Sequence, residues 1–494
     1  MRRNAAWSWV GALLLGCGDS GGAVSVSGSA SETSESSPGS ESGSEATETT
    51  GTETPTSTSA TSGPTTGPEP TGSTSTSTET STSGQMTTDE TTSDPPVEGD
   101  PCAPWPPPEG PVIEVTPAQA GSLKSIVEGA ASGTTISLAP GTYDLSGSGP
   151  IHITTPGLTL RGASGDRDAV VLDAGYAVGE ILLIAASDTA VVDMTLRRAM
   201  WHPIHAVGGE SGDISGVVIY NVKVVDPGQQ AIKINPSASK HYVDDGLIAC
   251  SWLELTDAGR GQIKDNCYTG GIDAHSAWGW TIRDNSIRGF WCPQGLSEHA
   301  IHLWVTSRDT LVERNDIRDC ARGIGFGLGA NGNGNSRAYA DDPCPGKGYL
   351  GHIGGEIRNN MIWAGDPQLF ASDYGFDSGV ALEQACDAKV LHNTVVSLQQ
   401  PFVSMEYRFP NTSATIAGNL VTHNIVQRDG GQAQLDGNIE GAGLDHFVDA
   451  AGADLHLAAG SSAIDAAPPG LVAEDFDGEP RGQSPDIGAD EAGR

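Results

Sequence analysis

Thr281-Ile282-Arg283-Asp284-Asn285-Ser286-Ile287 is followed by Leu311-Val312-Glu313-Arg314-Asn315-Asp316-Ile317 and then by Glu356-Ile357-Arg358-Asn359-Asn360-Met361-Ile362. The shared pattern is apolar-x-x-Asn-x-apolar. It returns at Val390, Asn393 and Val395 and at Ile416, Asn419 and Val421, and Ser251 takes the asparagine place one rung earlier. The intervals between copies are uneven while the local pattern is constant. Strands held in register, joined by loops of free length, produce that combination. Asparagine at each bend tolerates left-handed backbone, and its amide can bond the copies stacked above and below. The expected fold is all-β, a parallel solenoid. A sandwich with coincidental asparagine turns is the competing reading, and it does not explain why a second strand of each repeat also aligns.

That second strand is aligned by its apolar residue. The inward column reads Ile204, Ile232, Ile272, Ile301, Ile324, Val380 and Phe402. The next residue in each strand points outward, giving His205, Lys233, Asp273, His302, Gly325, Ala381 and Val403. Two further on come Val207, Asn235, His275, Trp304, Gly327, Glu383 and Met405. Rungs stack ~4.8 Å apart, so His205, Lys233, Asp273, His275 and His302 are expected to share one patch. The chain has only 12 histidines, and three fall in adjacent slots of one face. A plain solenoid wall would carry Thr, Val or Ser there. Lys233, Asp273, His275 and His302 are therefore the candidate catalytic residues. His205, Asn235, Trp304 and Arg322 are the candidate substrate contacts.

Composition bounds the rest. The net charge is −36, which argues against nucleic acid as a partner, since that partner needs a basic footprint. Residues 18–100 are almost wholly Ser, Thr, Gly, Glu and Pro. Such a segment cannot bury enough apolar surface to order itself, so it is expected to be a disordered linker. Residues 101–494 are then the folded domain, expected to act as a monomer. Ahead of the linker, Arg2-Arg3 precedes an apolar run ending Leu14-Leu15-Gly16-Cys17. This run is too short for a permanent membrane span. It resembles the lipobox of bacterial lipoproteins, which implies cleavage before Cys17, lipid on its sulfur, and an exported surface protein tethered to a membrane by residues 18–100.

Seven cysteines remain: Cys102, Cys250, Cys267, Cys292, Cys320, Cys344 and Cys386. In an oxidising compartment disulfides are the default. Cys250–Cys267, Cys292–Cys320 and Cys344–Cys386 is the simplest pairing, with Cys102 left over, although sequence alone leaves the connectivity open. No Cys-x-x-Cys spacing suggests zinc.

Both ends of the domain resemble the pectate-lyase-like right-handed parallel β-helix family. At the start, Leu123, Ile126, Val127 and Ala130 share one helical face, with Ser125 and Glu128 spaced as a capping box. Thr134-Thr135-Ile136-Ser137-Leu138 and Pro140-Gly141-Thr142-Tyr143 follow. At the end stand Asp475-Phe476-Asp477-Gly478-Glu479-Pro480-Arg481 and Asp486-Ile487-Gly488-Ala489-Asp490-Glu491. The resemblance implies a right-handed β-helix with a short N-terminal helix over its first rung. Within it, Gly271-Ile272-Asp273-Ala274-His275 resembles the Asp-x-His strand of mannuronan C5-epimerases. That likeness implies a groove shared by Asp273 and His275 with Lys233 from the preceding rung. Ala274 stands where that family has proline, and Gly270 where it has its catalytic tyrosine; Tyr268 is near but out of phase.

The chemistry so implied is abstraction of a uronate C5 proton. Lys233, Arg283 or Arg322 would neutralise the substrate carboxylate. His275 or His302 would serve as base or acid, and Asp273 would orient an imidazole or hold Ca²⁺. Trp304 and Trp201 would stack on sugar rings, and the loop from Gly327 to Gly355 would wall the groove. The expected function is a lyase- or epimerase-type enzyme on an acidic polysaccharide. The alternatives are a non-catalytic surface module binding glycan or protein, and a structural spacer. Asp273 and Glu383, three rungs apart, are too distant for a retaining glycosidase pair.

Overall fold

The computed structural model describes residues 101–329 and 337–492. Cys17 and the segment 18–100 lie outside the described residues. The chain winds as a parallel β-helix. One wall is a ten-stranded parallel sheet that carries the candidate site. Its strands are β1 (Ile151–Ile153), β2 (Leu182–Ile184), β3 (Ile204–Val207), β4 (Gln230–Asn235), β5 (Gly270–His275), β6 (Ile301–Trp304), β7 (Arg322–Phe326), β8 (Ser378–Glu383), β9 (Val403–Arg408) and β10 (Ile425–Arg428). A 22-stranded sheet and a short parallel pair, Ile214–Ser215 with Val243–Asp244, form the rest of the described solenoid wall. The antiparallel pair Phe447–Asp449 and Asp454–Leu457 follows it.

Alternation fixes which face is inside. Ile204, Ile232, Ile272, Ile301, Ile324 and Val380 pair rung to rung and are buried in one core. The last member of the expected column is wrong. Phe402 is 54% exposed, and Met405 is the residue that pairs with Val380 and enters the core. Phe402 lies just ahead of the strand, under the Arg428 guanidinium. The outward slots of that rung are therefore Glu406 and Arg408 rather than Val403 and Met405.

The asparagines form a buried ladder. Each amide Nδ2 donates to the next Oδ1, from Asn285 to Asn315 (3.0 Å), Asn315 to Asn360 (2.9 Å), Asn360 to Asn393 (2.9 Å) and Asn393 to Asn419 (3.0 Å). Asn438 extends it by one rung beyond the repeat seen in the sequence. Backbone N–H groups of the same residues also donate to the neighbouring Oδ1. The left-handed backbone falls one residue earlier than expected, on Cys250, Asp284, Arg314, Asn359 and His392. Asparagine thus occupies these slots for its two-sided amide, and the preceding residue makes the bend.

At the N-terminal end α1 (Ala120–Glu128) buries Leu123 and Val127 in the same core. The expected capping box is displaced. Ser125 lies within the helix, its Oγ donating to Ser122 O, and Glu128 accepts from His152 N. The N-terminal turn is closed instead by Thr116 and Gln119, with Thr116 N donating to Gln119 Oε1 at 3.0 Å.

Among the described residues the disulfides are Cys102–Cys250, Cys267–Cys292 and Cys344–Cys386. Only the last matches the simplest pairing. Cys102 reaches Cys250 because the segment before α1 straps along the solenoid: Arg283 donates to Pro101 O, and Trp105 packs on Tyr220 at 5.4 Å. Cys320 is the free one, buried in the core, where burial pushes its thiol up to about 12. Three disulfides are the mark of a protein folded in an oxidising, extracytoplasmic compartment.

Candidate functional site

Strands β4, β5 and β6 place Lys233, Asp273 and His302 in one row, directly paired across the sheet. Asp273 is the hub and is 1% exposed. Its Oδ2 accepts from Lys233 Nζ and from Tyr268 Oη, the latter at 3.1 Å. Its Oδ1 accepts from Trp304 Nε1 at 2.8 Å and lies 3.3 Å from His275 Nε2. Lys233 Nζ also stands 3.0 Å from Tyr268 Oη and 3.2 Å from His275 Nε2. Three residues suited to proton transfer or charge neutralisation, Lys233, Tyr268 and His275, thus converge on one carboxylate, with the Trp304 indole as a neutral donor beside them.

The expectation that these side chains are exposed is corrected. Lys233 and Asp273 form a buried ion pair, and His302 is fully buried. Rungs above and below, with Tyr268 and Trp304 over them, close the row off. His275, Trp304, His205 and Asn235 are partly exposed and make the rim. His275 packs edge-on to Trp304 (4.5 Å), and Trp304 stacks on His302 (5.3 Å).

The environment separates the proton affinities. Burial pushes the Asp273 carboxyl up, but Lys233, His275 and His302 outweigh it and hold it well below the usual range. Burial and the Lys233 charge push His275 down to about 4. Burial and the Asp273 charge raise the Tyr268 phenol, so it stays protonated. Burial also draws His302 down, but Glu298, Asp273 and the Gly327 carbonyl outweigh it and raise it.

Tyr268 is the residue that strand register missed. It lies two residues ahead of β5, outside the alternation, yet its hydroxyl enters the row. Glu298 and His299 were missed for the same reason, sitting just before β6. The sequence signal was Glu298-His299-x-x-His302, chelating side chains three and four apart. Glu298 Oε2 lies 3.0 Å from His302 Nδ1.

Other expected members lie elsewhere. Arg283 is on the opposite wall, bonded to Asp284 and to Pro101 O. Arg322 donates to Asp377 Oδ2 at 3.1 Å and faces Glu298 rather than Lys233. His205 lies at the row's far end with Glu180 3.6 Å away, and Trp201 lies over Gly179. The described part of the long loop meets the row at its start, where the Gly327 carbonyl lies 3.1 Å from His302 Nε2. Arg337 is pinned to Asp244 and Tyr339 to Thr306 O, beyond the C-terminal ends of the strands. Asp273 does not fit Ca²⁺. Both its oxygens already accept from N–H or O–H donors, and a cation there would meet the Lys233 ammonium.

No family model matches the chain, and no curated protein sequence does. Among solved structures it is similar to pectate lyase Pel9A, at 14% identity over 78% of this chain and 97% of that one, with a TM-score of 0.52. It is also similar to the A-module of mannuronan C-5 epimerase AlgE4 from Azotobacter vinelandii, at 14% identity over 65% and 90% of the two chains with a TM-score of 0.39. A third is an alginate lyase from Paenibacillus sp. str. FPU-7, at 16% identity over 66% and 99% with a TM-score of 0.37. The chain is a right-handed parallel β-helix of the architecture it shares with pectate lyase Pel9A.

Proposed function

We propose that the row on β4, β5 and β6 acts on uronate residues of an acidic polysaccharide by removing the C5 proton. The observation that carries this reading is the convergence of Lys233, Tyr268 and His275 on Asp273. His275 Nε2 lies 3.3 Å from Asp273 Oδ1 and 3.2 Å from Lys233 Nζ; in the tautomer that gives Nε2–H to Asp273, Nδ1 is the lone pair that would take the C5 proton. With its affinity lowered to about 4, His275 is unprotonated at neutral pH and ready as a base. The Lys233 ammonium, 3.2 Å from His275 Nε2, would offset the negative charge that builds on the substrate carboxylate as the proton leaves. Tyr268 keeps its proton and is the acid. Groups whose surroundings push their proton affinities apart are suited to opposite roles.

Two outcomes follow from one intermediate. If the C4–O4 bond breaks, O4 takes the Tyr268 proton, a C4–C5 double bond forms, and the tyrosinate regains a proton from water. If Tyr268 instead gives its proton to C5 from the opposite face, the product is the epimer; in either branch protonated His275 then releases the C5 proton to water and Tyr268 takes one back. Trp304, His205 and Asn235 would contact the sugar chain along the rim. The exported setting expected from the lipobox would place this activity at the cell surface.

The test is incubation with a panel of uronate polymers. Ultraviolet absorbance reports the unsaturated lyase product, and NMR reports the epimer. Either signal, lost in His275→Ala, supports the proposal. Polymer binding by both proteins with neither product on any uronate chain would replace it with a non-catalytic binding module.

A further inference from the structure

Just before β6 the chain reads Ser297-Glu298-His299-Ala300-Ile301-His302. One donor atom each from Glu298, His299 and His302 lie within 4.8 Å of one another. His299 is 3% exposed and His302 fully buried. Neither ring nitrogen of His299 has a hydrogen-bond partner among the described residues. Buried polar atoms in native proteins are nearly always satisfied, so an orphaned imidazole calls for an explanation.

His302 supplies the second observation. Its Nε2 lies 3.1 Å from the Gly327 carbonyl oxygen. That nitrogen must therefore carry a hydrogen and donate, since a carbonyl only accepts. In the neutral ring, Nδ1 then presents a lone pair, yet it faces Glu298 Oε2 at 3.0 Å and Asp273 Oδ1 at 4.0 Å. Two lone pairs at that separation need a positive species between them, either a proton or a metal ion. A proton would satisfy His302 and Glu298 and still leave His299 without a partner. A metal ion would satisfy all three. Room for the His299 ring is made by Gly325, where a Cβ would lie 2.6 Å from His299 Nε2. The neighbouring cation, Arg322, gives its Nε to Asp377.

We propose that Glu298, His299 and His302 bind one divalent transition-metal ion of the zinc class. Two imidazoles and one carboxylate with a fourth position open are a donor set that suits such an ion, and imidazole does not suit Ca²⁺ or Mg²⁺. Metal bonds of ~2.1 Å in tetrahedral array place donor atoms about 3.4 Å apart, so small side-chain shifts close the site. The Gly327 carbonyl holding the far nitrogen of His302 is the outer-shell contact that orients a ligating imidazole. The ion would sit on the floor of the row beside Asp273. This inference goes beyond the proposed reaction, and metal binding is read without any sugar.

The full chain, stripped of metal, is titrated with Zn²⁺ against a chromophoric chelator, and bound metal is counted by mass spectrometry. Co²⁺ substitution gives an independent visible spectrum of a tetrahedral site. One equivalent is expected. Glu298→Gln, which keeps the shape, and His299→Ala are each expected to weaken binding by more than the ~10–100-fold that loss of an outer-shell contact brings. Circular dichroism checks that both variants fold. The proposal is overturned if the wild-type chain takes up no stoichiometric metal, or if both variants bind as well as wild type. It is also overturned if binding survives in both and disappears in His456→Ala, because His456, Asp477 and Asp490 are a second group of donors.

Discussion

Replacing Asp273 by alanine leaves the Lys233 ammonium 4% exposed with no anion beside it. The carboxylate also accepts from Tyr268 and Trp304, but both rings are partly exposed and can turn their donors to water. The dominant cost is the unpaired buried charge, about 3–5 kcal/mol when one partner of a buried ion pair is removed. Lys233→Met combined with Asp273→Leu removes both charges and fills the same volume with apolar groups. Such a double replacement is often neutral, so it should cost less than Asp273→Ala alone. The dependence on pH follows from the lowered affinity of Asp273. An unfolded aspartate titrates near ~3.9. The unfolded chain therefore takes the proton first, and the stabilisation is complete above that pH and lost as pH falls toward the lower folded value. The gap between wild type and Asp273→Ala should be full at neutral pH and shrink at about pH 3. Guanidinium denaturation followed by circular dichroism at the two pH values measures it. A gap under about 0.5 kcal/mol at neutral pH, the level of ordinary surface changes, would refute the reasoning. So would a double variant whose loss equals the sum of the two single ones.

His275→Ala should lower turnover on the responsive uronate polymer by ~10²–10⁴ with little change in KM. The acid limb of the wild-type rate should fall near the folded value of about 4, well below an ordinary histidine; an inflection near pH 6.5 would contradict the assigned base. His352 is buried, stacked on Phe326 at 3.8 Å, and burial pushes it down to about 3. The unfolded histidine binds its proton first, so stability should drop as pH falls from ~6.5 toward that value. His352→Gln should flatten the drop in denaturant midpoints measured across the window. Asn315→Ala removes an amide that donates to Asn360 Oδ1 and the Ile282 and Glu313 carbonyls and accepts from Asn285. Stranding buried partners costs roughly 1–3 kcal/mol each, so a loss under about 1 kcal/mol in chemical denaturation would mean water replaces the rung.

The fold was legible because two periodicities coincide in one chain. Alternation in the strands placed Ile232, Ile272 and Ile301 inside and Lys233, Asp273 and His302 outside, and the pairing of β4, β5 and β6 agrees residue for residue. It failed where two apolar residues competed for one slot. Phe402 and Met405 are both large and apolar, and only the chain length between β8 and β9 decides which enters the core. The asparagine repeat was legible as a ladder, while its backbone reading was one residue off. A pattern of residue types records which side chain is buried, not which φ makes the bend. The cysteines show the same limit. Cys102 meets Cys250 across 148 residues, a contact made by a strap along the wall with no periodic signal. "Outward" was also a weaker statement than it looked, because neighbouring rungs and two aromatic rings bury what a single strand leaves exposed.

Tyr268 shows why the site needs more than the strands. Asp265, Asn266 and Cys267 all adopt left-handed backbone, and Cys267 is tied to Cys292. The bend and the disulfide deliver the next side chain into the row from outside the sheet register. The remaining members come from the alternation itself. A slip of β5 by one residue would send Asp273 into the core and Ile272 into the row. Every such slip exchanges a buried isoleucine for a buried charge torn from its partner. The packing that holds Ile272 against Ile301 therefore also sets the register that brings Asp273 against Lys233. A solenoid that has closed its core in register has already set its ion pair, and only the loop before β5 remains to bring the phenol.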